Sequence, residues 1–416
     1  MAPTALPQFA RALRSLNYRR YFIGQLISLA GTWMQQIAMS WLAYRLTHSA
    51  LVLGMISFFG QIPILLFASV GGVWVDRVDR RKLLLATQFL AMMQAGVLAI
   101  VSWQALATPT LLMVLAFALG CLNALDVPAR QAVAVQLVDN PDDLPNAIAL
   151  NALLMNGARF VGPALAGVVV AEAGETACFV LNALSYLAVL AALAGIRLSA
   201  VPKSRGSALA AFHGGYRYAL QHPTIRLLLL LVAGVSFFAT SYSAMLPIFA
   251  REVFGGGART YGLLVGSAGV GSLIASLVLA ARDPAKPVGN LIAWAAPGIG
   301  FCLALFALTP WLGLAFVELM ALGFCVIVTV AGSNTVIQSE VDEAYRGRVV
   351  GLYSMAFLGV SPLGSLAVGA LAHAWGTRPT LLCGAFVTVL LGLTYRHVAL
   401  GLGHAASGTR PDNPRR

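Results

Sequence analysis

The sequence predicts an all-α membrane protein with twelve transmembrane helices in two pseudo-symmetric six-helix bundles. Three observations carry this expectation. The 416 residues are 59% hydrophobic and only 10% charged. A soluble domain carries about 25% charged residues, so lipid must solvate much of this chain. Apolar runs long enough to cross a bilayer recur about twelve times. The cations that remain fall between those runs in an uneven, alternating way.

A membrane-crossing helix needs about 20 mainly apolar residues. Runs of that kind lie near 21–43, 51–75, 83–104, 109–127, 147–171 and 177–196 in the first half. The second half repeats the count near 225–249, 260–281, 290–308, 311–333, 349–372 and 379–398. The N-terminal twenty residues are basic, but the run after them is long enough to span and lacks a small-residue cleavage pattern, so no signal peptide is expected. With the N-terminus in the cytoplasm, 22 of the 27 Lys and Arg residues fall on the cytoplasmic side and 4 outside, with Arg159 inside a span. This is the asymmetry of the positive-inside rule. It accounts for the net charge of +12 without nucleic acid as a partner.

The expected domains are an N-terminal bundle (1–197), a cytoplasmic linker rich in Ser, Gly and Arg (198–223), a C-terminal bundle (224–399) and a disordered cytoplasmic tail (400–416). The halves resemble each other at an offset of about 200 residues. Gln136 to Asp139, Leu150 and Gly162-Pro163 answer to Gln338 to Asp342, Leu352 and Ser361-Pro362. Parallel six-helix repeats are one way to build a central site between two bundles.

Several chemistries are excluded or unsupported. Cys121, Cys178, Cys302, Cys325 and Cys383 each sit in an apolar run without CxxC spacing, and the six histidines lie near run ends or outside the runs. No disulfide, metal or other cofactor is expected. There is no Gly-Lys dipeptide, hence no phosphate-binding loop of an ATP-driven pump. No nucleophile–base constellation points to an enzyme.

The most informative local signal is the turn from Gly72 to Lys82 between the second and third runs. It packs Asp76, Arg77, Asp79, Arg80, Arg81 and Lys82 into seven residues, with only Val78 uncharged. Gly72 permits close helix approach. Asp76 can pair with a nearby arginine or accept from helix-end amides. Read without further context, the turn is a topological anchor or a switch.

This turn resembles the signature loop of the major facilitator superfamily, Gly-x-x-x-Asp-Arg-x-Gly-Arg-Arg, with Asp79 where the family has glycine. Asn123 to Gln131 (with Asp126, Pro128 and Arg130), Asn156 to Pro163, Asn334 to Gln338 and Arg346 to Tyr353 are similar to stretches of the superfamily's efflux branch. That branch includes exporters of enterobactin and of macrolides. The resemblance runs over about residues 15–398. It implies two rocking bundles around a central cavity and export driven by proton entry. It further implies a cytoplasmic gate made of Gly72, Asp76, Arg77, Arg80, Arg81 and Arg130. Gly162-Pro163 in the fifth run matches the core of the antiporter motif; Pro163 and Pro362 remove a helix hydrogen bond and bend their helices. The family's mid-membrane arginine of the fourth span is absent, since Leu119 to Asn123 holds no cation.

Two ionisable residues sit well within the runs, Arg159 and Glu318, with Asp126 at an inner end. A mid-helix charge costs about 2.5–3.5 kcal/mol on insertion scales, so such residues usually have a partner or a task. Glu318 lies eight residues past Pro310, about 12 Å from the outer end. It is expected to carry the proton, with Asp126 and Arg159 as partners or alternates; a structural role is the competing reading for each. Asp126 and Arg130 are also placed to pair at i,i+4.

Polar side chains recur at helical spacing in the first run (Gln25, Ser28, Thr32, Gln35, Gln36, beside Trp33) and in the seventh (Ser236, Thr240, Ser243). They mark an expected cavity wall, against ordinary helix packing. The expected function is proton-coupled export of small amphiphilic molecules of the drug or siderophore class, with an importer or facilitator on the same fold as the alternative. The expected setting is the bacterial inner membrane, both termini cytoplasmic, acting as a monomer.

Overall fold

The computed structural model describes residues 8–75, 78–196, 216–282, 288–343 and 345–407. A short 3₁₀ helix, Gln8–Arg14, precedes eleven long helices. These are α1 (Leu16–Thr47), α2 (Ala50–Val75), α3 (Arg80–Trp103), α4 (Pro109–Gln136) and α5 (Leu144–Ala194) in the first half. The second half holds α6 (Pro223–Val253), α7 (Ala258–Ala280), α8 (Val288–Leu308), α9 (Leu312–Glu340), α10 (Arg346–Trp375) and α11 (Thr377–Ser407).

Ten of them, α2 to α11, are long and apolar enough to cross a membrane. The eleventh, α1, has 32 residues and owes its lower hydropathy to polar side chains that it buries inside the bundle. The 51 residues of α5 would span about 75 Å if straight. They do not run straight: Gly174 adopts φ 78° and ψ 172°, and the chain turns back there. Only glycine enters that region without a steric cost. With α5 crossing twice, the chain supplies the twelve crossings that the sequence predicts.

Helix boundaries follow local chemistry. Ser15 caps α1, Thr108 caps α4 ahead of Pro109, and the Asp79 carboxylate accepts from the amides of Arg81 and Lys82 to start α3. Side-chain caps of this kind each contribute about 1 kcal/mol. Of the expected linker, residues 198–215 lie outside the described residues, while 216–221 are helical. α11 continues to Ser407, so 400–407 of the expected tail are helical, and 408–416 lie outside the described residues. Asp76 and Arg77 of the expected gate also lie outside them; of Gly72 only its place in α2 is described.

The first bundle packs α1 and α3 against α5, and α2 against α4. The second packs α9 against α7 and α8 against α9 and α11. Two long crossings join them, α5 with α7 and α2 with α10. The repeat is visible in glycines. Gly157, Gly162, Gly167 and Gly174 correspond to Gly359, Gly364, Gly369 and Gly376 at a constant offset of about 200 residues. Gly376, like Gly174, has positive φ (89°) and starts the final helix. Gly162 touches α1 beside Trp33, and Gly364 touches the Phe237 carbonyl of α6.

The ends of the helices define two sides. The terminal side carries residues 8–14 and the end of α11; the opposite side carries the turns at Gly174 and Gly376. Trp103, Trp311 and Trp375 are 77%, 69% and 60% exposed at helix ends on the opposite side. Exposed tryptophans at one level form the belt expected at a membrane interface.

Candidate transport pathway

The polar stripe of α1 points mainly into its own bundle. Gln25, Ser28 and Gln35 are buried, at 2%, 3% and 0% exposure. They belong to a hydrogen-bonded column between α1, α3, α4 and the second half of α5. At its centre Asp126 accepts from Thr87 Oγ1 at 2.9 Å and from Gln88 Nε2 at 2.7 Å. Its other oxygen pairs with Arg130 Nη2 at 3.1 Å, the i,i+4 contact expected from the sequence. Arg130 Nη1 donates to Gln25 Oε1 at 3.4 Å, and Ser28 Oγ to Gln88 Oε1 at 3.4 Å. Thr32 Oγ1 donates to the Ser28 carbonyl and lies 3.3 Å from the Tyr186 hydroxyl. One layer further, Gln35 donates to Gln94 at 2.9 Å and accepts from Asn182 at 2.8 Å.

A cavity of ≈ 20 Å³, lined by Ser28, Thr32, Thr87, Gln88, Asp126 and Tyr186 among others, lies inside the column. That is room for about one water. Gln25 Nε2 is buried with no partner among the described residues. The structure therefore sets Gln25, Ser28 and Gln35 inside the first bundle, where they join four helices. Thr87, Gln88, Gln94, Asn182 and Tyr186 complete the column and were not singled out from sequence. Their signal is present: each is a polar or hydroxyl-bearing residue inside an apolar run.

Trp33 and Gln36 take the other face of α1. Gln36 is exposed, and Trp33 lies beneath Arg159, whose guanidinium carbon is 5.1 Å from the ring centroid. Arg159 is exposed although it stands mid-helix in α5, with Trp33 of the first bundle on one side and Tyr242 of the second within electrostatic reach. An accessible side chain flanked by both bundles lines the space between them. Among the described residues Arg159 has no carboxylate partner.

Of the α6 stripe, Ser236 is fully buried and its hydroxyl hydrogen-bonds to the Phe357 carbonyl of α10. Thr240 bonds back to the Ser236 carbonyl at 2.8 Å, while Ser243 is exposed. Here α6 is irregular. It carries π-helical turns at Val235–Ala239 and Phe249–Val253, with a 3₁₀ stretch, Thr240–Met245, between them. α10 carries a π turn at Met355–Gly359. Ser236 thus joins two widened turns. Pro163 and Pro362 both sit inside their helices and are buried.

Glu318 faces the interior of the second bundle at 6% exposure, and its Oε2 has no hydrogen-bond partner among the described residues. No ion pair joins it to Arg159 there, and the two lie on different bundles. Its neighbours Ala315, Leu319 and Leu322 are fully buried.

The two sides of the molecule are held differently. On the opposite side the bundles meet directly. Tyr44 donates to Glu252 at 3.0 Å, and Trp41 stacks on Tyr261 at 6.2 Å between centroids. Gly54 meets Gly369, and Gly167 meets Gly262, so closely that a Cβ on Gly262 would stand 2.5 Å from the Pro163 carbonyl. Arg45 binds Glu175 through two nitrogens at 2.9 and 3.2 Å beside this contact. On the terminal side three polar ties lie within single bundles. Arg81 donates to the carbonyls of Leu193 and Ala194 at 2.9 and 2.7 Å, satisfying the last turn of α5. Arg80 begins α3 next to it. Tyr18 donates to the Ala147 carbonyl, and Tyr218 accepts from the Asp342 amide. The state is closed on the opposite side.

Two bundles of six crossings, joined by α2–α10 and α5–α7 and enclosing a polar space, define a multi-pass secondary transporter. The chain belongs to the transmembrane secretion effector family of the major facilitator superfamily, whose profile matches residues 8–413. It is similar to the staphyloferrin A transporter of Staphylococcus aureus, 26% identical over 90% of this chain and 94% of that one. The enterobactin exporter EntS of Escherichia coli is 24% identical over 93% and 92%, and the multidrug efflux pump Tap of Mycolicibacterium fortuitum 23% over 88% and 91%. Among solved structures, the nucleoside transporter NupG superposes with a TM-score of 0.69 (14% identity, 92% of this chain and 99% of that one). A bacterial Spinster homologue in an inward-facing, unoccupied conformation superposes at 0.70 (14% identity, 92% and 97%).

Proposed function

We propose that this transporter exports small amphiphilic molecules of the siderophore or drug class from the bacterial cytoplasm by proton antiport and alternating access. The observation that carries the reading is the full-length similarity to efflux relatives, over about nine-tenths of the chain. On this reading the terminal side is cytoplasmic, in keeping with the cation asymmetry. The space beside Trp33, Gln36, Arg159 and Ser243 takes substrate from that side. Closure there and opening at Tyr44–Glu252 release it outside. The protein works as a monomer in the inner membrane.

Glu318, Asp126 and Arg159 form the coupling set. Glu318 is buried with its Oε2 unbonded among the described residues, which suits it to exchange a proton during the cycle. Asp126, fixed by Arg130, Thr87 and Gln88, suits a role in holding the first bundle in one shape. The turn from Gly72 to Arg81 stabilises the outward-open state by clasping helix ends on the cytoplasmic side, with Asp76, Arg77, Arg80 and Arg130 as its charges. Accumulation of chemically diverse compounds in cells, with and without a proton uncoupler, tests the function. Export predicts lower accumulation in expressing cells and loss of the difference with uncoupler. Higher accumulation in expressing cells would make the protein an importer.

A further inference from the structure

Among the described residues, two carboxylates inside this molecule have arginine partners. Asp126 has Arg130, and Glu175 has Arg45. Arg159 is a cation well inside a crossing that is solvent-accessible, and no carboxylate meets it among the described residues. An arginine cannot shed its charge by losing a proton. A charge at that depth in a crossing usually has a partner or a task. Its hydrocarbon stem and the Trp33 face fix where the charge points, and Gly162 admits Trp33 against the α5 backbone.

We propose that Arg159, stacked on Trp33, is the recognition point for an anionic group of the substrate, an organic oxyanion with carboxylate as the simplest case. A guanidinium presents a planar fork of N–H donors that matches a carboxylate with two parallel hydrogen bonds. Cation–π contact with Trp33 holds one face of the guanidinium and leaves its edge free. Tyr242, from the second bundle, stands within electrostatic reach of the same point. A bound oxyanion therefore supplies the missing counter-charge between the two bundles. An aromatic body on the ligand gains the flank of Trp33. A neutral or cationic analogue leaves Arg159 uncompensated and is selected against. The assignment rests on the reading that substrate binds between the bundles.

The test uses the full-length purified protein and three isosteric probes: 1-naphthoate, 1-naphthamide and 1-naphthylmethylammonium. Binding is read by calorimetry and by the shift in melting temperature. The expected result is that naphthoate binds and stabilises, while the amide and the ammonium do so about tenfold or more weakly, the range for a charge-assisted bond. Arg159→Gln loses the naphthoate preference, and Arg159→Lys keeps part of it because the charge remains without the fork. Both variants must show the wild-type melting temperature without probe within the error of the scan; Trp33→Phe serves as the second variant and weakens naphthoate without abolishing the charge preference. Equal binding of the three probes, no binding of naphthoate, or an undiminished preference in Arg159→Gln would each overturn the assignment. Uncoupler-sensitive extrusion of neutral compounds by Arg159→Gln would overturn it while leaving the exporter intact. Anion-selective binding by a protein that raises cellular accumulation would overturn export and leave the anion site standing.

Discussion

The Tyr44 hydroxyl donates a 3.0 Å hydrogen bond to Glu252, tying the end of α1 to the end of α6 across the two bundles. It is a polar component of a closure that also contains stacked rings and glycine contacts. A hydrogen bond to a charged group is worth about 1.5–3 kcal/mol. Tyr44→Phe is expected to move the equilibrium towards the state open on this side by roughly tenfold or more. Spin-label distances between the ends of α1 and α6 check this. An unchanged distance distribution would assign the closure to Trp41, Tyr261 and the glycines instead.

Gly262 and Gly271 lie on one helix but make different contacts, and their substitution separates two functions. A side chain on Gly262 would meet the α5 backbone at Pro163 and Gly167, across the boundary between bundles. A side chain on Gly271 would meet the Met320 carbonyl of α9, within one bundle. Gly271→Val is expected to prevent folding, because neither backbone can yield. Gly262→Val is expected to fold and reach the membrane but to fail in closing the opposite side. Size-exclusion profiles and cysteine accessibility at Tyr44 distinguish the two outcomes.

The Asp126–Arg130 pair makes a stability prediction. Removing one member of a buried pair costs about 3–5 kcal/mol, because the other charge is left uncompensated. Arg130→Gln or Asp126→Asn should each lower the melting temperature well below wild type. The double variant should recover a large part of that loss. Additive losses in the double variant would mean that Thr87 and Gln88, not Arg130, stabilise the carboxylate.

Glu318→Gln removes the titratable proton and keeps the shape. It is expected to abolish uphill, pH-dependent transport in proteoliposomes and to leave substrate binding largely intact. If the variant still concentrates substrate with the normal pH dependence, Glu318 is structural and Asp126 is the next carboxylate to substitute.

The fold was legible because membrane solvation writes it directly into composition. Apolar length, cation placement and the half-chain repeat depend on single residues or short runs, and one chain displays them. The boundary at Gly174 was also legible, as two apolar runs, and the chain reverses there at a non-helical glycine (φ 78°, ψ 172°). The orientation of the α1 stripe was not. Helical spacing puts Gln25, Ser28, Thr32 and Gln35 on one face, but only the partners on α3, α4 and α5 decide which way that face looks. Those partners, Gln88, Gln94 and Asn182, lie about 60 to 150 residues away with no local motif to announce them. Trp33 and Arg159 met the opposite fate. Each was visible as an unusual residue in an apolar run, and their stacking required the crossing of α1 and α5 at Gly162.

The widened turns of α6 and α10 have a mechanical meaning for the molecule as a whole. A π turn is one extra residue absorbed without breaking the helix, and such turns gather at functional sites. Both members of the Ser236–Phe357 contact sit in such turns, whereas α1, the counterpart of α6, is α-helical and tied by its polar side chains to Gln94 of α3 and Asn182 in the second half of α5. The duplicated architecture is thus mechanically unequal. The first half is braced by side-chain hydrogen bonds between its helices, and the second carries widened turns at Val235–Ala239, Phe249–Val253 and Met355–Gly359, so two halves of one architecture hold their shape by different means.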